Sequence, residues 1–164
     1  MTETLSSVNL DAALSKGGAA AAGLTRLWES LWQQDHVPPA LLELCRLNFA
    51  RLYNDTAELG AAMPYLPTDA VTADRRQAVI EGKAHDSALF SEAEKAALFF
   101  AEYYWMDAQS ITDEAADAVK AHFGEPGLVL LIEALGCIDA RIRTARCLRD
   151  MAAFAPAMEA TYVR

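Results

Sequence analysis

Three carboxylates lie close together around a predicted junction between two helices, and they could carry acid–base chemistry. Glu43 lies within a leucine-rich run, and Asp55 and Glu58 follow it in the next segment. Burial raises the pKa of a glutamate toward the range useful for proton transfer, so Glu43 is a candidate general acid or base. Arg46 is a candidate anchor for a substrate carboxylate. The alternative, given equal weight, is that Glu43 only forms an ion pair with Arg46 or Arg51.

Asp55 and Glu58 also have the spacing of a helix capping box. Asp55 would accept a free N–H of the first turn, and Glu58 would reach back to the N–H of Asp55. This structural role is the simpler interpretation. In the functional interpretation, the helix dipole keeps Asp55 ionised as a candidate ligand for a cationic or hydroxylated group. Tyr53 and Asn54, at the break before the cap, complete the candidate pocket.

Two predicted helices must position these groups. The first begins near Pro39 and is indicated by an apolar stripe of helical spacing formed by Leu42, Cys45, Phe49 and Leu52. Glu43, Arg46 and Asn48 are predicted to lie beside this stripe. The second helix starts on Asp55, so any chemistry at this junction places carboxylates at a helix N-terminus.

These segments resemble the carboxymuconolactone decarboxylase and alkylhydroperoxidase-D (AhpD-like) superfamily. The resemblance rests on ELCRL at 43–47, ARL at 50–52, SEAEKAAL at 91–98 and RIRTARCL at 141–148, and it extends from about Val37 to Leu148. It implies an all-α, AhpD-like helical domain that forms a homo-oligomer. In the peroxidase branch a glutamate matches Glu43, but the two cysteine positions are occupied here by Asp55 and Glu58 and the histidine position by Ala62. In the decarboxylase branch, Glu58 and Leu59 match the start of Glu-Leu-x-x-His, and Ala62 again replaces the histidine.

Three functions are therefore considered. A carboxylate cannot form a disulfide, so the leading hypothesis is a superfamily member that has lost thiol peroxidase chemistry. It would keep a cofactor-free small-molecule pocket for proton transfer or decarboxylation of an organic acid. The second hypothesis is a non-catalytic binding or assembly subunit in which the same groups only lock two helices together. The third is residual alkylhydroperoxidase activity through Cys45.

Composition limits the partners and the compartment. The 164-residue chain carries a formal charge of −9, which disfavours nucleic acid and anionic membranes as partners. Its three cysteines lack metal or redox spacing and fit a reducing compartment. The acidic N-terminus does not resemble a signal peptide, and no apolar run is as long as a membrane helix requires. The chain is predicted to be cytoplasmic, with no metal or cofactor.

The remaining sequence predicts six or seven helices and no strand. An arm at 1–18, a helical domain at 19–155 and a tail at 156–164 are expected, with helical character continuing to Phe154. Helices are predicted from Ala19 to about Gln34, from Thr72 to about Glu81, after the Ser91 capping box, from Thr112 to Gly124, and from about Pro126 onward. The cysteines are predicted to be core residues, and the three histidines to lie at helix ends or in loops.

Overall fold

The protein is all-helical over the residues that the computed structural model describes, 4–151, and these contain no strand. The predictions for 152–155 and for the tail at 156–164 lie outside the described residues. The α-helices are α1 (Asp11–Leu14), α2 (Gly18–Leu31), α3 (Pro39–Leu52), α4 (Thr56–Gly60), α5 (Ala73–Ile80), α6 (Glu92–Asp107) and α7 (Asp113–Asp150). Short 3₁₀ helices cover Ser7–Asn9, Ser15–Gly17, Ala84–Asp86 and Ala108–Ser110.

Helix α3 is the centre of the fold, and it contacts α4, α5, α6 and α7. Every residue from Leu41 to Ala50 is buried. The predicted apolar stripe is therefore present. The buried part of the helix surface is wider than this stripe, because the polar residues beside it are buried as well. A helix surrounded on all sides must satisfy its polar side chains inside the protein, which is the origin of the site described below.

Most of the predicted helix boundaries are confirmed by local geometry. Ser91 and Glu94 form the predicted capping box of α6, and the Thr112 side chain accepts the Ala115 N–H at 3.2 Å at the start of α7. Gly124 interrupts the long helix with φ 70° and ψ 178°, two residues before Pro126, so the two helices predicted there are continuous except at this break. Gly82 ends α5 with a φ of 70°.

The second half of α7, predicted as a helix from about Pro126 onward, packs along a seam of residues spaced three and four apart. Leu131, Leu135, Ile138, Ile142 and Ala145 are buried along it, and Leu128 is partly buried. Arg141 lies beside this seam and is fully buried although it is charged. The prediction was wrong for Cys147, which is exposed, whereas Cys45 and Cys137 are buried as expected.

The N-terminal residues are docked on the domain. Ser6, Ser7, Val8 and Leu10 are buried, and the chain then forms α1 and turns at Gly17 and Gly18 into α2. The arm predicted at 1–18 is therefore docked on the domain over its described residues.

Candidate functional site

Arg46 is the centre of the candidate site, and all five of its N–H donors are used within the protein. Its Nε and Nη2 each donate to one oxygen of Glu43 at 2.7 Å. Its Nη1 donates to Glu58 Oε1 at 2.6 Å and to the Glu58 carbonyl at 2.8 Å, and Nη2 also donates to the Ala61 carbonyl at 3.2 Å. We call Glu43, Arg46 and Glu58 the Arg46 network. No N–H of Arg46 is left to hold a substrate carboxylate.

The Arg46 network is almost completely removed from solvent. Glu43 is 3% exposed, and Arg46 and Glu58 are 0% exposed. Burial alone would lower the pKa of Arg46, but the hydrogen bonds and charges of Glu43 and Glu58 outweigh it and raise that pKa above its usual value. The arginine is therefore permanently charged and neutralised by the two carboxylates around it. Arg76 approaches Glu43 from outside, with Nη1 at 3.7 Å from Oε1.

Glu58 binds the N-terminal arm and does not close the predicted capping box. Its Oε2 accepts the Ser7 N–H at 2.7 Å, and its Oε1 accepts the Ser7 hydroxyl. The N–H of Asp55, which Glu58 was expected to bind, donates to the Ala50 carbonyl at 2.9 Å instead. The reciprocal half of the predicted box is thus wrong, because two stronger partners, Arg46 and Ser7, hold the Glu58 carboxylate elsewhere.

Asp55 fulfils the other half of the prediction. Its side chain accepts the Glu58 N–H at 3.0 Å as the N-cap of α4. Arg149, from the end of α7, donates to both of its oxygens, one at 2.8 Å. Burial by itself would raise the pKa of Asp55, but the hydrogen bonds from Arg149 and from the backbone lower it below its usual 3.8. Asp55 is consequently an ionised structural anchor and a weak base.

This anchor predicts a pH dependence. The pKa of Asp55 is depressed in the folded state, so its contribution to stability is present above about 3.8 and is lost as the pH falls through the folded-state value. Asp55→Asn keeps an N-cap side chain but loses the charge paired with Arg149. The difference in free energy of unfolding between wild type and this variant should therefore be largest near neutral pH and shrink in acid.

Urea denaturation over a pH series measures that difference. The matched control is Asp107→Asn, which alters an exposed N-cap that accepts the Gln109 N–H at 3.0 Å. A gap between wild type and Asp55→Asn that stays constant into acid would contradict the assignment.

Tyr53 and Asn54 lie at the α3–α4 junction, and both have structural roles there. Burial and a 2.5 Å hydrogen bond from the Tyr53 hydroxyl to Asp139 raise the pKa of Tyr53 to about 12. Arg143 and Arg146 lie over its ring, with Arg146 Cζ at 4.9 Å from the ring centroid. Asn54 is exposed with a φ of 53°, so it turns the chain between the two helices.

The buried cysteine of α3 is in an environment that opposes thiol chemistry. Cys45 is 0% exposed, and burial raises its pKa to about 12. A catalytic cysteine requires the opposite, a lowered pKa and access to solvent.

Two cavities open elsewhere on the described surface. One of about 550 Å³ lies between α5 and the segment that follows it, lined mainly by Asp74, Gln77, Glu81, Lys83 and Asp86. The other, of about 290 Å³, lies between α2 and α7 and is lined by Leu24, Leu27, Tyr104, Ile132 and Gly136 among others. Neither cavity is lined by a residue of the Arg46 network or by Asp55.

Two further polar clusters were not predicted from the sequence. Arg141 is fully buried, donates from Nε to the Ser7 carbonyl at 2.8 Å, and lies over the Trp28 ring at 4.5 Å. In the second cluster, Glu102 Oε1 accepts from Arg51 at 3.0 Å and lies 3.4 Å from His85 Nε2. Both clusters join segments far apart in sequence, so no local pattern could have indicated them.

Among residues 4–151, one helix meets the length and composition expected of a membrane span. It is α7, which the sequence pattern had not indicated. In the fold α7 packs on α3 and α6, and one third of its most apolar stretch is buried inside the protein.

The site thus gathers Glu43, Arg46, Asp55 and Glu58, with Tyr53 and Asn54 at its edge. Comparison of the chain with protein-family models, with curated proteins and with solved structures gives no match.

Proposed function

We propose that this protein is a non-catalytic assembly subunit of AhpD-like architecture, in which the Arg46 network holds helices together where the peroxidases carry out chemistry. The observation that carries this proposal is the complete pairing of Arg46. Its five N–H groups and both Glu43 oxygens are hydrogen-bonded inside the protein. An enzyme acting through Glu43 needs open space beside that carboxylate, and neither of the two cavities described above is lined by Glu43.

The AhpD-like assignment is supported by how the matched positions converge. Glu43 from α3 and Glu58 from α4 bind the same arginine, and Asp55 caps α4, where the resemblance places the reactive cysteines. A helix N-terminus can activate a thiol. At the N-terminus of α4 the group in that place is the Asp55 carboxylate, and Arg149 already neutralises it. We propose a cytoplasmic location for the chain on the basis of its acidity and its cysteines.

Binding of organic acids distinguishes the subunit from the enzyme. A panel of small mono- and dicarboxylates is expected to leave the melting temperature of the wild type unchanged, because Arg46 has no free donor. A rise in melting temperature that disappears in Arg46→Lys would contradict the proposal and favour the enzyme. Arg51→Lys, which changes a partly exposed arginine paired with Glu102, is the control.

Peroxide consumption tests the third hypothesis. With a dithiol reductant present, the purified protein should consume hydrogen peroxide or an organic hydroperoxide no faster than buffer, because Cys45 is buried with a raised pKa. Turnover that survives metal removal and vanishes in Cys45→Ser would restore the peroxidase hypothesis.

The assembly role is supported by apolar side chains on the outer face formed by α2 and α7. Ile132 is 39% exposed and Leu27 is 37% exposed, and both line the apolar cavity between these helices. Val129, three residues before Ile132 on α7, is 57% exposed. Exposed apolar patches of this kind mark contacts with other proteins. The face is therefore the proposed contact between copies of the chain.

Light scattering during size-exclusion chromatography measures that contact. Wild type is expected to have at least twice the mass of one chain at micromolar concentration, and Ile132→Glu is expected to lower that mass. Leu89→Glu places the same charge at a 49% exposed leucine in the connector before α6, and it should leave the mass unchanged. A monomeric wild type, or equal effects of the two substitutions, would contradict this role.

A further inference from the structure

The N-terminal arm is bound to the rest of the domain as a ligand would be. Ser7 is held on both sides of its backbone, because its N–H and hydroxyl donate to Glu58 and its carbonyl accepts from Arg141 Nε at 2.8 Å. Asp11 then lies 2.8 Å from Arg141 Nη2 and accepts the Thr25 hydroxyl at 3.1 Å. The seat for the arm is thus built by residues of α2, α4 and α7, all outside the arm.

The apolar contacts of the arm form their own small core. Leu10 and Leu14 pack with Ala145 of α7 in a cluster separate from the main hydrophobic core, and of the arm residues that the structure describes only Val8 joins the main core. Detaching the arm would therefore disrupt this small cluster and leave most of the main core intact. Such a segment can be exchanged between copies as a unit.

The connection between the arm and α2 is short and tightly turned. Gly18 has a φ of 72°, a conformation that other L-residues rarely adopt, and a Cβ on Gly17 would lie 2.6 Å from the Ala21 Cβ. Beyond this hinge the chain continues as Ala19–Ala22, a run of strong helix formers. If the hinge straightened, α1 and α2 would become one helix from Asp11 to Leu31, about 31 Å long at 1.5 Å per residue.

We propose that the arm is exchanged between two copies of this chain. In the exchanged dimer each Ser7 occupies the seat formed by Glu58 and Arg141 of the other copy, and Gly17 and Gly18 become helical. Each chain has the same number of arm contacts in the closed monomer and in the exchanged dimer. The equilibrium between monomer and dimer is therefore set by the hinge and by protein concentration. This inference names one contact of the proposed assembly, and it is separate from the outer face of α2 and α7.

Straightening the hinge by substitution tests the proposal. Gly17→Ala/Gly18→Ala disfavours the turn sterically, and each alanine favours the helical hinge about five-fold over glycine. In light scattering the double variant, made in the Ile132→Glu background, should shift the monomer–dimer equilibrium toward dimer by at least about 20-fold. Adding Ser7→Ala should leave that shift unchanged, because the Ser7 contacts are the same in the closed monomer and in the exchanged dimer, and Ser15→Ala, an exposed serine of the same arm, should also leave it unchanged.

A cross-link establishes whose arm fills the seat. One hinge-variant chain carries Asp11→Cys and another carries Thr25→Cys, both with Cys147→Ser. After mixing and oxidation a disulfide-linked pair of chains is expected, because each chain carries only one of the two cysteines that replace the contacting residues. Ser30→Cys, farther along α2, replaces Thr25→Cys as the control and should not cross-link.

Two outcomes would overturn the exchange. One is a hinge variant that stays monomeric, and the other is a dimer that fails to cross-link. Either result would leave the assembly role intact, because that role is measured on wild type and Ile132→Glu with the hinge unchanged. A monomeric wild type together with a cross-linked hinge variant would contradict the assembly role and leave the arm exchange intact.

Discussion

Arg46→Met is expected to lower the free energy of unfolding by about 3–5 kcal/mol, the cost of leaving buried charges without their partner. The substitution removes five hydrogen bonds, leaves the fully buried Glu58 without its cationic partner and leaves Glu43 only Arg76 at 3.7 Å. Methionine fills most of the same space, so the loss reports the charge and not a cavity. Urea denaturation followed by circular dichroism measures it.

Arg141→Met is the matched control, because Arg141 is equally buried but its acidic partner is not. The Asp11 side chain is 39% exposed and can be hydrated when the arginine is removed, so a cost nearer about 1–2 kcal/mol is expected. Arg46→Lys should fall between wild type and Arg46→Met, since lysine keeps the charge but has three donors in place of five. Equal losses for Arg46→Met and Arg141→Met would contradict the assignment of the Arg46 network.

Glu58→Gln is expected to have the second largest effect, because it changes the contact between the domain and its arm without changing the shape of the side chain. In either orientation, the amide turns an N–H₂ group toward a donor, either Arg46 or the Ser7 N–H. Breaking this buried pair should lower the free energy of unfolding by about 3 kcal/mol or more. Hydrogen exchange of the Ser7 amide should also become faster than in wild type.

The exchange measurement separates loss of the arm from general destabilisation. In Glu58→Gln the Ser7 amide should lose more protection than the amides of α3, which are in the centre of the fold. The control is Glu94→Gln, which changes a partly exposed capping residue that also pairs with Arg75. It is expected to cost less than about 1 kcal/mol and to leave Ser7 protected. Uniform acceleration of all amides would argue against a specific role of Glu58 in seating the arm.

Glu43 has, in the structure, a partner that the sequence interpretation as an ion pair gave it. The sequence left Glu43 between an acid–base catalyst and a partner of Arg46 or Arg51. In the fold Glu43 is bound by Arg46, and Arg51 pairs with Glu102 instead. A helix places residues three apart on one face, so the pairing with Arg46 is local and could be anticipated. Whether open space remained beside Glu43 depended on how the other helices pack against α3.

The sequence by itself determined the helices and their ends. The spacing of apolar residues, the prolines at 38 and 39, the Ser91 capping box and Gly82 are local signals, and local hydrogen bonding and backbone sterics act over a few residues. For the same reason the sequence located Asp55 as the cap of α4, and it placed Cys45 in the core.

Only the tertiary structure decided what the polar groups do. Glu58 turns away from its own helix start because Ser7 and Arg46 reach it from positions 51 and 12 residues away. Arg141 is buried because the arm and Trp28 cover it, and both are far from it in sequence. A buried charge takes the partners that the packed elements bring within hydrogen-bonding distance, and the spacing of residues along the chain does not specify them.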